Sequence, residues 1–101
     1  MDINDSKQFF SLEPSEREYL LNWITLNLQQ IKSENRRHTS YGLKHLFEDD
    51  KEQGGFYVNN GAFKGAMLEA GFTEFINGLS PNPTYNLSEK SISTLKKRGV
   101  R

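Results

Sequence analysis

Hydrophobic residues recur at three- and four-residue steps over residues 19–31, the spacing of one face of an α-helix. The members are Tyr19, Leu20, Trp23, Ile24, Leu28 and Ile31. Ser15 and Glu18 stand just before this pattern at the spacing of a capping box, in which each side chain binds the other residue's backbone N–H. The sequence therefore predicts a first helix over about 15–33, followed by a polar link over 33–38.

A second helix is predicted from Thr39 or Ser40 to the acidic pair Asp49-Asp50, which suits the end of a helix poorly because of the helix dipole. Its predicted inner face consists of Leu43, Leu46 and Phe47, and its predicted outer face of Lys44, His45 and Glu48. Residues 51–55 read as a turn. Phe56-Tyr57-Val58 has β character but is long enough only for a bridge or a small strand.

Asn60 or Asn59 is predicted to cap a third helix, because asparagine accepts a hydrogen bond from the first helical turn. Gly71 is predicted to end this helix in the left-handed conformation, with Phe72 packing on Met67 in a Schellman motif. Residues 39–72 thus form a predicted helix–loop–helix unit.

The C-terminal part is predicted to form a β-hairpin from strands at 72–76 and 84–87, joined by the turn-forming residues 77–83. Ser88 caps a short final helix that Gly99 ends. The order of elements predicts an α+β, mostly helical fold that is winged helix-turn-helix-like, with three helices plus the C-terminal hairpin as the wing.

The whole chain, residues 1–101, is expected to be a single domain, with a flexible N-terminus over 1–12 and a basic tail over 89–101. The net charge is zero, but it is unevenly distributed. Three cations and six acids give residues 1–35 a charge of −3, so residues 36–101 carry +3. This asymmetry predicts a basic working half and an acidic supporting helix.

The composition narrows the possible chemistry. There are no cysteines, so a disulfide or a zinc-thiolate site is impossible. No apolar stretch approaches a membrane span of about 18 residues, and a cytoplasmic protein is predicted. His38 and His45 form no metal or catalytic motif, and Glu48, Asp49, Asp50 and Glu52 read as a solvated helix end. No enzymatic activity and no cofactor are expected.

Nucleic-acid binding is the leading prediction, with the third helix as recognition helix. The candidate residues are Arg36, Arg37, Lys44, Asn59, Asn60, Lys64, Lys96, Lys97 and Arg98. Asparagine can read adenine, while lysine and arginine can bind guanine or phosphates. His38, His45 and Leu68, together with the wing residues Asn77 and Asn82, would complete the footprint. The competing interpretation is that the asparagines are helix caps and the lysines solubilising charges.

Three segments carry a resemblance to known proteins: Thr39–Glu48, Gly55–Met67 and Ala70–Phe72. Together they resemble a run in small uncharacterised proteins of phages and bacterial mobile elements. Phe63–Met67 with Gly71-Phe72 is also similar to the winged-helix domain of phage primase–helicases. The resemblance implies a phage or mobile-element setting, and hence either a nucleic-acid-binding accessory or an inhibitor or adaptor that binds a host protein. In the second case Tyr57, Leu68 and the acidic turn Asp49-Asp50-Glu52 would face the partner. Either a monomer or a homodimer is compatible with the sequence.

Overall fold

The computed structural model describes residues 2–101, so that Met1 lies outside the described part. Its regular elements, in chain order, are α1 (Pro14–Asn27), β1 (Gln30–Thr39), α2 (Ser40–Asp49), α3 (Asn60–Glu69), β2 (Glu74–Phe75), β3 (Thr84–Leu87) and α4 (Glu89–Lys97). Two 3-10 helices span Ser6–Ser11 and Lys51–Gln53. The predicted α+β class is confirmed: the four α-helices are the three of the predicted winged-helix unit and the short final helix, whereas the sheet of the described residues has one strand more than the predicted hairpin. None of these helices is long and apolar enough to cross a membrane.

The three strands form an antiparallel sheet in the order β1-β3-β2. The predicted hairpin is confirmed as β2 and β3, with Phe75 opposite Thr84. β3 lies in the centre, and all four of its residues are buried. Its Tyr85 and Leu87 belong to the hydrophobic core, which also takes in the inner faces of all four α-helices.

The prediction for residues 28–38 was wrong: α1 ends at Asn27, and the supposed polar link is the ten-residue strand β1. Its sequence is polar because most of its side chains are exposed. What makes it a strand is pairing with β3, a distant segment, which a local pattern does not reveal. Asn35 strengthens this pairing by donating from Nδ2 to the carbonyl of Leu87 at 3.0 Å.

Helix α1 begins at Pro14, one residue before its predicted cap, Ser15. Pro14 occupies the first helical turn, where the missing N–H costs nothing, so Glu13 is the N-cap. The capping box joins Glu13 and Glu16, whose carboxylate accepts from the Glu13 N–H at 3.0 Å. The predicted box of Ser15 and Glu18 is therefore wrong in register.

The N-terminal segment, predicted as flexible, contains the 3-10 helix Ser6–Ser11, which packs against α3 and buries Phe9. Two glycines of α3 make this contact possible: a Cβ at Gly61 would overlap the Asp5 carbonyl, and one at Gly65 would overlap that of Ser6. The Gly61 N–H donates to the Ile3 carbonyl at 2.7 Å. The pattern could not reveal this contact because a 3-10 helix of 6 residues is too short to show an amphipathic period.

Helix α3 has the predicted ends. Asn59 is the N-cap and accepts from the Ala62 N–H at 2.8 Å. Gly71 is left-handed, and the Phe72 N–H donates to the Met67 carbonyl at 3.1 Å, which confirms the Schellman motif. Gly99 ends α4 in the same way, as predicted.

Helix α2 buries Leu43, Leu46 and Phe47 as predicted, but it also buries Lys44. The predicted strand at 56–58 was wrong. These residues form an irregular connection, in which Val58 is buried and Tyr57 is exposed.

Glycines 65 and 42 provide a matched test of the packing between the N-terminal segment and α3. Gly65→Ala should lower the free energy of unfolding by about 1–3 kcal/mol, because the new methyl group displaces the backbone of the 3-10 helix. Gly42→Ala should raise it by about 0.5–1 kcal/mol, since no described atom lies within 4 Å of its Cβ and alanine favours the helix. Urea unfolding followed by circular dichroism measures both; equal effects would contradict the contact.

Removing the hydroxyl group from two tyrosines should change the free energy of unfolding in opposite directions. The Tyr85 hydroxyl is buried without a hydrogen-bond partner among the described residues, so Tyr85→Phe should raise the free energy of unfolding by about 1 kcal/mol. The Tyr19 hydroxyl donates to the Gln53 carbonyl at 2.8 Å, so Tyr19→Phe should lower it by about 1 kcal/mol. Both values come from the same unfolding measurement, and a destabilised Tyr85→Phe variant would be the contrary result.

Candidate interaction surface

Asn60 joins four segments at one end of the molecule. It is buried in the first turn of α3, and its Oδ1 accepts from Ser40 Oγ of α2 at 2.8 Å. Its Nδ2 is within bonding distance of Asn4 Oδ1 at 3.0 Å, the Pro81 carbonyl at 3.2 Å and Asn82 Oδ1 at 2.9 Å. We call these residues the Asn60 network. It fixes the N-termini of α2 and α3 to the hairpin loop and the N-terminal segment.

Lysine 64 extends the network. Its ammonium group donates to the carbonyls of Asn4 at 2.9 Å and Pro81 at 3.0 Å. Asn77 closes the hairpin loop by donating to the Asn82 carbonyl at 3.1 Å. The loop is therefore held at both its base and its side by side-chain hydrogen bonds, which gives an otherwise irregular segment a defined shape.

Several exposed apolar residues stand close to this network along the chain. Ten large hydrophobic residues are exposed among residues 2–101, and five of them lie within three residues of a network or loop-closing residue. These five, which we call the apical surface, are Ile3, Tyr41, Tyr57, Ile76 and Leu79. Their exposed fractions run from 52% for Tyr41 to 105% for Leu79. Large apolar side chains with this degree of exposure are typical of an interaction site where they form a continuous patch.

The two apical tyrosines are oriented by Lys44. Its ammonium group lies 4.9 Å from the ring centre of Tyr57 and 5.7 Å from that of Tyr41, within cation–π range. Glu48 neutralises it with a 2.8 Å ion pair, and also accepts from the Val58 N–H at 3.1 Å. Lys44 therefore contributes rigidity to the apical surface but little net charge.

A groove of about 610 Å³ on the outer face of the sheet borders the apical surface. Phe75 and Thr84 belong to its lining, and Ile76 and Asn77 connect it with the hairpin loop. Glu34 is already engaged there, since it accepts from the Thr84 hydroxyl at 2.6 Å and lies 3.5 Å from Arg36.

The nine predicted nucleic-acid-binding residues do not form one surface. Asn59 caps α3, and Asn60, Lys44 and Lys64 are engaged as described, so none of these four is available as predicted. Arg98 binds Asp50. Internal polar groups thus engage five of the nine side chains, and their role in nucleic-acid binding stays a prediction. Arg36 and Arg37 are exposed on β1, and Lys96 and Lys97 are exposed in the last turn of α4.

The two histidines of the additional footprint are also engaged, whereas Leu68 is exposed. His38 Nε2 lies 2.8 Å from Glu89, whose pKa is lowered mainly by the hydrogen bond from Asn35 and further by His38. His45 lies 3.1 Å from Glu48. This leaves α3 itself, whose outer face the N-terminal segment covers, without a free row of polar side chains for a groove of duplex DNA.

The acidic end of α2 was predicted to be solvated, but Asp50 is buried. Its carboxylate accepts from Trp23 Nε1 at 2.8 Å and from the two Nη atoms of Arg98 at 2.9 and 2.7 Å. The hydrogen bond from Arg98 holds the pKa of Asp50 below its usual value, and the hydrogen bond from Trp23 lowers this pKa further. Asp49 and Glu52 remain exposed, and among residues 2–101 no cluster of three or more potential ligands could hold a metal ion.

Sequence reasoning missed most of the apical surface. Tyr57 and Leu68 were considered as contacts, but Ile3, Tyr41, Ile76 and Leu79 were not. One signal was present: Leu79 stands among turn formers, where a large apolar residue has no core to enter.

The Asp50–Arg98 pair gives a pH-dependent prediction. Arg98→Met should lower the free energy of unfolding by about 3 kcal/mol, because it leaves a buried carboxylate without its cation. The pKa of Asp50 is depressed in the folded state, so its carboxylate stabilises the fold at pH values above its unfolded pKa of about 3.9. This stabilisation is lost as the pH falls through the folded pKa. Asp50→Asn should therefore lose less stability than the wild type between about pH 5 and pH 2. Identical acid profiles would contradict the pair.

Comparison of the chain with protein-family models, curated proteins and solved structures finds no match. The resemblance to proteins of phages and mobile elements therefore stays a prediction. Function has to be argued from the geometry of the apical surface and from the charges that the fold leaves free.

Proposed function

We propose that this chain is a non-enzymatic protein-binding module, of the inhibitor or adaptor kind, that inserts its apical surface into an apolar site of a partner protein. The observation that carries the proposal is the grouping of five exposed apolar side chains around the buried Asn60 network. A host protein is the partner class if the phage setting holds.

The chemistry of the apical surface favours a protein partner. Tyrosines are enriched at the energetic centres of interfaces, and pre-organised side chains lose little entropy on binding. Lys44 holds Tyr57 and Tyr41 in place, and the network holds the loop that presents Leu79. The loop residues 76–83 include no cation, so phosphate binding gains nothing from them.

The architecture is compatible with a winged helix, and we propose that relationship as well. It rests on the order of helix, strand, two helices and a hairpin, with β1 beside the last strand. In such a fold α3 would be the recognition helix. Because residues 2–11 cover it here, the proposed function assigns binding to the hairpin loop and its surroundings instead.

Nucleic-acid binding is the second candidate, supported by a specific observation. Arg36 and Arg37 are exposed on β1, at the edge of the sheet, and Lys32 is exposed on the same strand, four residues before Arg36. A backbone-directed contact at this strand needs no recognition helix. It would be weak and steeply dependent on salt, because few phosphates would be neutralised.

The experiment compares immobilised variants against an extract of a bacterial host by quantitative mass spectrometry, followed by titration of any purified partner. The variants are Leu79→Asp and Tyr57→Asp, with Leu68→Asp as a matched control at an exposed position in the last turn of α3. A partner should be retained by the wild type and the control. Its affinity should fall about 30-fold or more in the apical variants, the loss expected at an interface centre.

The two candidate functions separate in the same experiment. Binding through the apical surface should survive moderate salt and the double change Arg36→Glu with Arg37→Glu. If the apical variants retain every partner that the control retains, the proposal is wrong. Duplex or single-stranded DNA binding that disappears with salt and with the arginine changes would establish the second candidate instead.

A further inference from the structure

The outward face of α1 presents a second set of exposed residues, away from the apical surface. Asn22 stands four residues after Glu18 and three after Tyr19, and Leu26 follows four residues later, so these residues form one stripe along the helix. Leu26 is the most exposed apolar residue of α1, at 72%. A protruding leucine at the end of a surface stripe is not explained by the core.

Leu26 separates two grooves of similar size. One, of about 280 Å³, lies towards the start of α1 and is lined by Tyr19, Asn22, Trp23 and Gln53. The other, of about 270 Å³, lies between the end of α1 and helix α4, with Lys90 and Thr94 among its lining residues. The face therefore holds an apolar projection directly beside recesses that are partly apolar.

The two ends of this face have opposite charge. Towards the start of α1 the stripe carries the exposed acid Glu18. Glu13 and Glu16 are joined in the capping box, and Arg17 donates to the Phe10 carbonyl. At the other end α4 contributes the exposed Lys90, while Arg98 is already occupied by Asp50. A face that is acidic at one end and basic at the other is complementary to an inverted copy of itself.

We infer that this face binds a second copy of the chain about a twofold axis near Asn22, with the two α1 helices antiparallel. In this arrangement Leu26 of each copy enters the groove beside Tyr19 of the other, and Glu18 of each copy faces Lys90 of the other. The pairing is isologous, so each contact occurs twice. It does not depend on the apical surface, which stays free in both copies.

The dimer is expected to be weak. Helix α1 has 14 residues, about 21 Å in length, so one such face buries less than the roughly 800 Å² per partner of a standard interface. We therefore expect a dissociation constant in the micromolar range. Charge complementarity at both ends then sets the register of the two α1 helices and contributes the smaller part of the affinity.

Sedimentation equilibrium of the full chain, from micromolar to millimolar concentration, tests the inference. The wild type should show a concentration-dependent dimer, and Leu26→Glu should be monomeric. Glu18→Lys and Lys90→Glu should each weaken association about tenfold or more, whereas the two changes together should restore it. Leu79→Glu, on the apical surface, is the matched control and should dimerise like the wild type.

All substituted side chains are exposed, so circular dichroism should show unchanged folding in every variant. A wild type that is monomeric throughout the range overturns the inference. So does a dimer that persists in Leu26→Glu, or a pair of charge reversals that fails to restore association. Loss of partner binding in Leu79→Glu with an intact dimer would leave this inference standing, so the two proposals fail separately.

Discussion

The buried carboxylate of Asp50 is the interaction on which the arrangement of the helices depends. An ionised group that is shielded from water needs several donors, and here they come from Trp23 of α1, Arg98 after α4 and the backbone of Gln53. The first and last helices are thereby attached to the end of α2. Because both Nη atoms of Arg98 bind it, the geometry leaves little freedom for the C-terminal helix to shift.

Other charged side chains are likewise bound to groups within the fold. A chain with 13 cations and 13 acids uses several of its cations to complete internal networks: Lys44 under the tyrosines, Lys64 over two carbonyls and Arg98 on Asp50. At the apical end, Glu48 neutralises Lys44, whereas Lys64 keeps its charge but directs it at backbone carbonyls. Charge counted along a chain overstates what is available to a partner whenever the fold satisfies polar groups with one another.

The parts that sequence could predict are those with a local physical cause. Gly71 and Gly99 end helices because a left-handed residue does so wherever it occurs, and the hairpin follows from turn formers between two β-prone runs. β1 was missed because a polar segment becomes a strand only through a distant partner. The internal contacts of Lys44 and Asn60 were not predicted, because periodicity shows which side of a helix a residue is on, but not that Tyr57 or the hairpin loop covers that side.

The contact of the N-terminal segment with α3 has a consequence for measurement of local opening. The Gly61 N–H stands in the first turn of its helix, where amide groups lack an intrahelical acceptor, and the Ile3 carbonyl supplies one from far along the chain. Its rate of hydrogen exchange therefore reports undocking of the N-terminal segment rather than unwinding of α3. Amides in the middle of the same helix, such as that of Met67, report the deeper opening. One helix thus carries two independent probes of the molecule's local and global stability.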